Sequence, residues 1–163
     1  MKVTNYTHIN EASAQQIAGA LSGLLADFQV FYTNLRGFHW NVKGHAFFTL
    51  HSKFEEMYDD ASEKIDEIAE RILMLGCEPE SRFSEYLKVA RVKEVAGVSC
   101  AGTALENVLE TLSHLIREER KIIALASELG DESTLAQIGG YLQEQEKTVW
   151  MLVAWSQNEC CKA

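Results

Sequence analysis

The chain has 163 residues, 47% of them hydrophobic, with a single proline and a formal net charge of −9. That is enough chain for one domain, residues 1–163, with a sizeable core. No run approaches eighteen consecutive apolar residues, which excludes a membrane-spanning helix, and the acidic balance favours cations while opposing non-specific nucleic-acid binding.

Residues 10 to about 40 are expected as a first long helix. Asn10 fits the N-cap, with Glu11 at the positive end of the helix dipole. Ile17, Leu21, Leu24, Leu25, Phe28, Phe31, Tyr32 and Leu35 supply its apolar face. The segment closes with RGFHWNVKGH, in which Lys43-Gly44 is a stop signal. The second helix, FFTLHSKFEEMYDDASEKIDEIAERILML, covers residues 47–75. Leu50, Phe54, Met57, Ala61, Ile65, Ile68, Ile72 and Leu75 recur at the three-and-four spacing of a stripe packed into a core. Gly76 and then Pro79 end it. Residues 80–97 are less regular, and SEYLKVARV predicts one short helix within a long connection. Thr103 with Glu106 makes a capping box near the start of the third helix, with Ser99 as the alternative cap. Leu105, Val108, Leu109, Leu112, Leu115, Ile116, Ile123 and Leu129 form its core face. Gly130-Asp131 breaks it, and Thr134 with Gln137 repeats the capping pattern before a fourth helix cored by Leu135, Ile138, Leu142, Val149, Leu152 and Val153. No strand and no internal repeat emerges. The expected fold is all-α: a ferritin-like four-helix bundle with a short extra helix in the long connection between helices 2 and 3.

Beside the apolar stripe of the second helix sit His51, Glu55, Asp66 and Glu70. Each adjacent pair is one turn apart and shares a patch of space. Fifteen residues separate His51 from Asp66, roughly 22 Å along the axis but only about 60° around it. The two pairs share a face, yet no single ion can touch both within one chain, because metal–ligand bonds are about 2 Å long. The pairs His51/Glu70 and Glu55/Asp66 have the same midpoint in sequence, between Asp60 and Ala61. A second copy laid antiparallel across a two-fold axis there brings His51 and Glu55 of one chain against Asp66 and Glu70 of the other, the self-complementarity of an isologous dimer. His39 lies twelve residues before His51, at the end of the first helix. An antiparallel hairpin of helices makes the two imidazoles converge. Imidazoles with carboxylates suit Fe²⁺, Zn²⁺ or Co²⁺ and fit Ca²⁺ or Mg²⁺ poorly. The alternatives are a solvated helix face for the acids, and a histidine bonded to a backbone carbonyl for His39.

The stretch NLRGFHWNVKGHAFFTLHSKFEEMYDDASEKIDEIAERI resembles the Dps-like miniferritins, and the likeness extends from about Asn10 to Trp155, including WMLVAW in the last helix. The family's ferroxidase pattern is a His, a second His twelve residues on, an acid four on, an Asp eleven on and a Glu four further. It falls here on His39, His51, Glu55, Asp66 and Glu70. The resemblance implies a homododecameric hollow shell with dinuclear-type sites between subunits. There Fe(II) is oxidised to Fe(III), preferentially by hydrogen peroxide rather than dioxygen, and stored as ferric mineral. The family most often has Asp where this chain has Glu55, whose extra methylene changes its reach. Trp40 follows His39 as in the family, where a tryptophan near the iron site can be oxidised; an interface aromatic is the other reading. Acidic residues before the last helix line a three-fold pore in relatives. Asp131 is the candidate here, with helix capping as the alternative. No Glu-x-x-His occurs, so the intra-bundle di-iron centre of ferritins and bacterioferritins is not expected. Glu110 and His114 are taken as surface neighbours.

Two other functions compete: a nucleoid-compacting DNA-binding protein with secondary iron chemistry, and a helical oligomer with a degenerate or zinc-filled site. The first is opposed by the charge and by the single Lys in each of the first and last ten residues. The opening MKVTNYTHINEAS lacks an apolar signal core. Cys77, Cys100, Cys160 and Cys161 match neither a zinc knuckle nor a disulfide framework. Reduced thiols in the cytoplasm are expected, with Cys160 and Cys161 as a place for cross-linking on oxidation.

Overall fold

Asn10 caps the first long helix as its sequence position predicts, its side-chain oxygen accepting from the backbone N–H groups of Ala12 (2.9 Å) and Ser13 (3.1 Å). The structure, a computed structural model, describes residues 1–157, so the expectation for Cys160 and Cys161 lies outside the described residues. Among these residues six helices follow in order: α1 (Thr4–Thr7), α2 (Glu11–Asn41), α3 (Phe47–Met74), α4 (Phe83–Val89), α5 (Ala101–Leu129) and α6 (Glu132–Gln157). Among the described residues there is no strand. The short α1 has no counterpart in the sequence reading. Among the described residues no helix is long and apolar enough to cross a membrane.

Helices α2 and α3 pack against each other along their lengths, as do α5 and α6, and α2 also contacts α5 and α4. Phe28, Phe54, Leu115 and Ile138, one from each long helix, are buried in the common core. The α3 stripe is buried as its spacing requires, except for half-buried Ile65. Val153, expected in the core, is 39% exposed.

Two helix ends share one construction. Gly76 and Gly130 take φ of 77° and 72°, and the next residue's N–H reaches back five positions: Cys77 to Ile72 O (3.1 Å) and Asp131 to Ala126 O (2.8 Å). This 6→1 closure needs a left-handed residue, which glycine adopts without steric cost. Asp131 then caps α6, accepting from Thr134 N at 3.0 Å. The sequence placed the cap at Thr134; the helix starts earlier because the aspartate, directly after the glycine, satisfies the free N–H groups first. The cap of α5 also differs from expectation. It is Cys100, not Thr103 or Ser99.

Buried polar side chains of α2 hold the long connection in place. Asp27, 2% exposed, accepts from Arg91 N (2.6 Å), Val92 N (3.0 Å) and His114 Nε2 (2.7 Å). Asn34 donates to Lys93 O (2.8 Å) and accepts from Val95 N (2.9 Å). An irregular segment lying on the bundle thereby has its main-chain groups satisfied. His114 is therefore a partly buried partner of Asp27 and not a surface neighbour of Glu110.

The bundle interior also holds charge. Arg71 donates to Asp131 Oδ1 (2.6 Å) and Thr134 Oγ1 (2.9 Å). Burial alone would raise the Asp131 carboxyl, but the hydrogen bonds from Arg71 and Thr134 outweigh it and hold it below the usual range. Its carboxylate is thus committed within the chain, as the capping alternative requires. Lys64 is buried and donates to Asp60 and to Glu144 (2.8 Å). Glu119, fully buried on α5, accepts from Gln145 Nε2, while its second oxygen and the Gln145 carboxamide oxygen are without partners among the described residues. Desolvation pushes the Glu119 carboxyl up to about 7.

Candidate metal centre

The last turns of α2 and the first turns of α3 form a helical hairpin, and His39 and His51 meet across it. Their rings stack with centroids 3.7 Å apart and planes 20° from parallel. His39 Nδ1 lies 2.8 Å from the backbone oxygen of His51, and His51 Nδ1 lies 2.8 Å from that of His39. A carbonyl oxygen only accepts, so both Nδ1 atoms carry the proton and donate. In the neutral rings both Nε2 atoms then present lone pairs. A main-chain carbonyl that fixes the tautomer is the usual outer support of a metal-bound histidine. The backbone-bonded alternative for His39 is therefore correct as geometry and fully compatible with metal binding.

Aromatic neighbours hold the pair in place. Phe47 stacks on His51 at 4.9 Å, and Tyr58 meets His39 edge-on at 5.4 Å and 87°. Tyr58 in turn meets Tyr32 at 6.0 Å and 90°. The Arg36 guanidinium lies between the rings of Tyr32 and Trp40, 5.3 Å and 4.7 Å from their centroids. His39 is buried and His51 half-buried. The sequence reading did not single out Phe47, Tyr58 or Arg36. The available signal for Tyr58 was its spacing, seven residues after His51 and three after Glu55 on one face of α3.

Glu55, Asp66 and Glu70 are exposed on α3, on the stretch that also carries half-buried His51. Tyr58 Oη donates to Glu55 Oε1 at 3.4 Å. The phenol is held above the ordinary tyrosine value by desolvation and then by the nearby Glu55 and Asp59 charges, so it is a donor at neutral pH. The single chain brings the two histidines together but leaves the acids spread along the helix. Among the described residues no group of three or more His, Cys, Asp or Glu converges on one point. On the same hairpin Trp40 is 63% and Phe48 83% exposed, large apolar surface beside polar ligand-type groups.

Four long helices, a crossover bearing one short helix, and a histidine pair at the hairpin of the first two define a ferritin-like bundle protein. A family model described as a ferritin-like domain matches residues 18–159. The DNA protection during starvation protein of Porphyromonas gingivalis is 53% identical over 155 residues, covering 95% of this chain and 98% of its own length. The crystal structure of a Dps protein from Vibrio cholerae O1, described as a member of the ferritin-like diiron-carboxylate proteins, superposes with a TM-score of 0.89 at 48% identity over 90% of this chain and 92% of that one. A Dps protein from Bacillus brevis superposes with a TM-score of 0.86 at 37% identity, covering 90% and 99%. The chain belongs to the Dps-like miniferritins.

Proposed function

We propose that this protein oxidises Fe(II) at sites shared between two subunits and stores the Fe(III) as mineral inside a homododecameric shell, in the cytoplasm, as protection against oxidative stress. His39, His51 and Glu55 of one subunit and Asp66 and Glu70 of its neighbour form the proposed ligand set. The observation that carries this reading is the reciprocal bonding of the stacked His39 and His51, which leaves an Nε2 lone pair on each ring, beside a helix face otherwise supplied with carboxylates. Imidazole with carboxylate is a donor set that binds Fe²⁺ and, through its oxygens, favours Fe³⁺ after electron loss. Two Fe²⁺ give one electron each to one hydrogen peroxide, which takes up two protons and leaves as two waters, so no hydroxyl radical is released. Hydrogen peroxide is the preferred oxidant in this reading and dioxygen the slower one. The exposed Trp40 and Phe48 supply the apolar surface that a second subunit covers.

A subunit-mixing experiment tests the shared site. His51→Ala and Asp66→Ala subunits each assemble into shells that oxidise iron poorly. Shells reassembled from an equal mixture regain about a quarter of wild-type peroxide-dependent oxidation, because half the interfaces pair unlike subunits and each of those rebuilds one intact site of two. No recovery on mixing refutes the shared site. Full activity in the doubly substituted protein refutes the iron-oxidation reading altogether.

DNA binding is the second reading, and the relatives' names bear on it: the Porphyromonas gingivalis protein is called a DNA protection protein. For this chain the charge of −9 opposes direct contact, and removal of iron and peroxide protects DNA without it. A gel shift at low salt, where phosphate-driven binding appears first, separates the two.

A further inference from the structure

The two histidines are oriented by main-chain carbonyls, but an exposed glutamate on a three-bond side chain has no such anchor unless a neighbour provides one. Among the described residues the hydrogen bond to the Glu55 carboxylate comes from Tyr58. The phenol is itself fixed. Its ring stands edge-on both to His39 at 5.4 Å and to Tyr32 at 6.0 Å, and Arg36 lies over the face of Tyr32. Among the described residues Tyr58 is therefore the one side chain that touches an imidazole of the site with its ring and a carboxylate of the site with its hydroxyl.

We propose that Tyr58 is a positioning residue of the iron site, setting the angle of the Glu55 carboxylate relative to the His39–His51 pair. The inference rests on the iron-oxidation reading above and adds to it how the longer side chain at position 55 is held. A glutamate turned by its own rotamers spends most of its time away from the metal. A donor three residues on, across the same helix face, narrows that spread and raises the effective affinity of the site before iron arrives. A shorter aspartate at position 55 cannot reach the same hydroxyl in the same geometry, so the tyrosine's O–H matters only while the glutamate is present.

The test uses the assembled protein and Co²⁺, whose visible absorption reports coordination without turnover. Tyr58→Phe keeps both ring contacts and removes the hydroxyl. The expected result is Co²⁺ binding weakened about tenfold, the lower end of the range for an outer-shell partner, with shifted visible bands and an unchanged melting temperature. In peroxide-driven oxidation the KM for Fe²⁺ rises several-fold while kcat changes less than twofold. The double variant Glu55→Asp/Tyr58→Phe binds no more weakly than Glu55→Asp alone, the coupling expected of two groups acting through one contact. Tyr58→Phe binding Co²⁺ within twofold of wild type, with His51→Ala unable to bind it, overturns the role of Tyr58 and leaves the iron site standing. Strictly additive effects in the double variant also overturn it. Wild-type binding by His51→Ala overturns the site itself.

Discussion

Replacing Glu119 with glutamine is expected to stabilise the protein at neutral and alkaline pH. The carboxyl is fully buried and accepts one hydrogen bond from Gln145, leaving one unpartnered oxygen on each side chain. A proton on Glu119 converts its free oxygen into a donor for the Gln145 carboxamide oxygen, and both groups are satisfied. Burial raises the carboxyl from 4.5 to about 7, a difference of about 2.5 units, or about 3 kcal/mol as an upper figure. The folded state keeps its proton to higher pH than the unfolded chain. The favourable contribution is therefore complete below about pH 4.5, falls between pH 4.5 and 7, and is absent above. Glutamine is neutral at all pH and offers an N–H₂ where the protonated acid offers an O–H. Glu119→Gln should then gain about 2–3 kcal/mol at pH 8 and close to nothing at pH 4.5. Calorimetric unfolding of the assembled protein at both pH values, at one protein concentration, reads the difference between variant and wild type and cancels other titrations. The opposing forces are the hydrogen bond from Gln145 and then the nearby Lys64 ammonium, both of which favour the carboxylate. Destabilisation at pH 8, or an equal shift at both pH values, would mean that the ionised pair prevails and that the neutral-acid argument is wrong.

Asp131→Ala leaves the buried Arg71 without its counter-ion and α6 without its cap, and should cost about 3–5 kcal/mol by thermal unfolding. Because the Asp131 carboxyl lies below its ordinary value, wild-type stability from this pair is present above pH 4 and lost as acid protonates it; the variant should lack that acid-side decline. Asp27→Ala removes the acceptor for Arg91 and Val92 and should cost about 2–3 kcal/mol, with faster hydrogen exchange confined to those two amides and their neighbours. The exposed Cys100 thiol is lowered from its ordinary value chiefly by the backbone N–H of Thr103, then by the Thr103 side chain and the Gly102 N–H. Its alkylation should outpace that of partly buried Cys77 at neutral pH, measured by mass spectrometry of the two peptides.

Much of the bundle was legible because its signals are local. The α3 stripe, the Asn10 cap and the glycine at residue 76 each depend on residues within one or two turns, and each appears where the spacing places it. The capping box at Thr134 was misplaced because two acceptors stand close together, and Asp131, directly after the glycine that ends α5, wins; α5 starts at Cys100 with no side-chain cap bond. The convergence of His39 and His51 was readable from a hairpin and a twelve-residue interval. A backbone-bonded His39 was among the alternatives, but that each ring bonds the other's carbonyl was not readable, since a main-chain acceptor carries no residue label. Asp27, Asn34 and Glu119 were invisible as buried groups for a different reason. Their partners lie 26 to 87 positions away, so nothing near them in sequence says that a polar side chain in an apolar stripe is satisfied.

The anchors of the two imidazoles belong to the peptide backbone, which no substitution deletes. If either histidine is exchanged for another helix-forming residue, the survivor still finds its carbonyl and stays in the same tautomer. Half of the proposed coordination apparatus is thus inherited ready-made. A lineage or a designer can swap one ring for a different donor and explore new metal preferences without first reinventing the scaffold that aims the other.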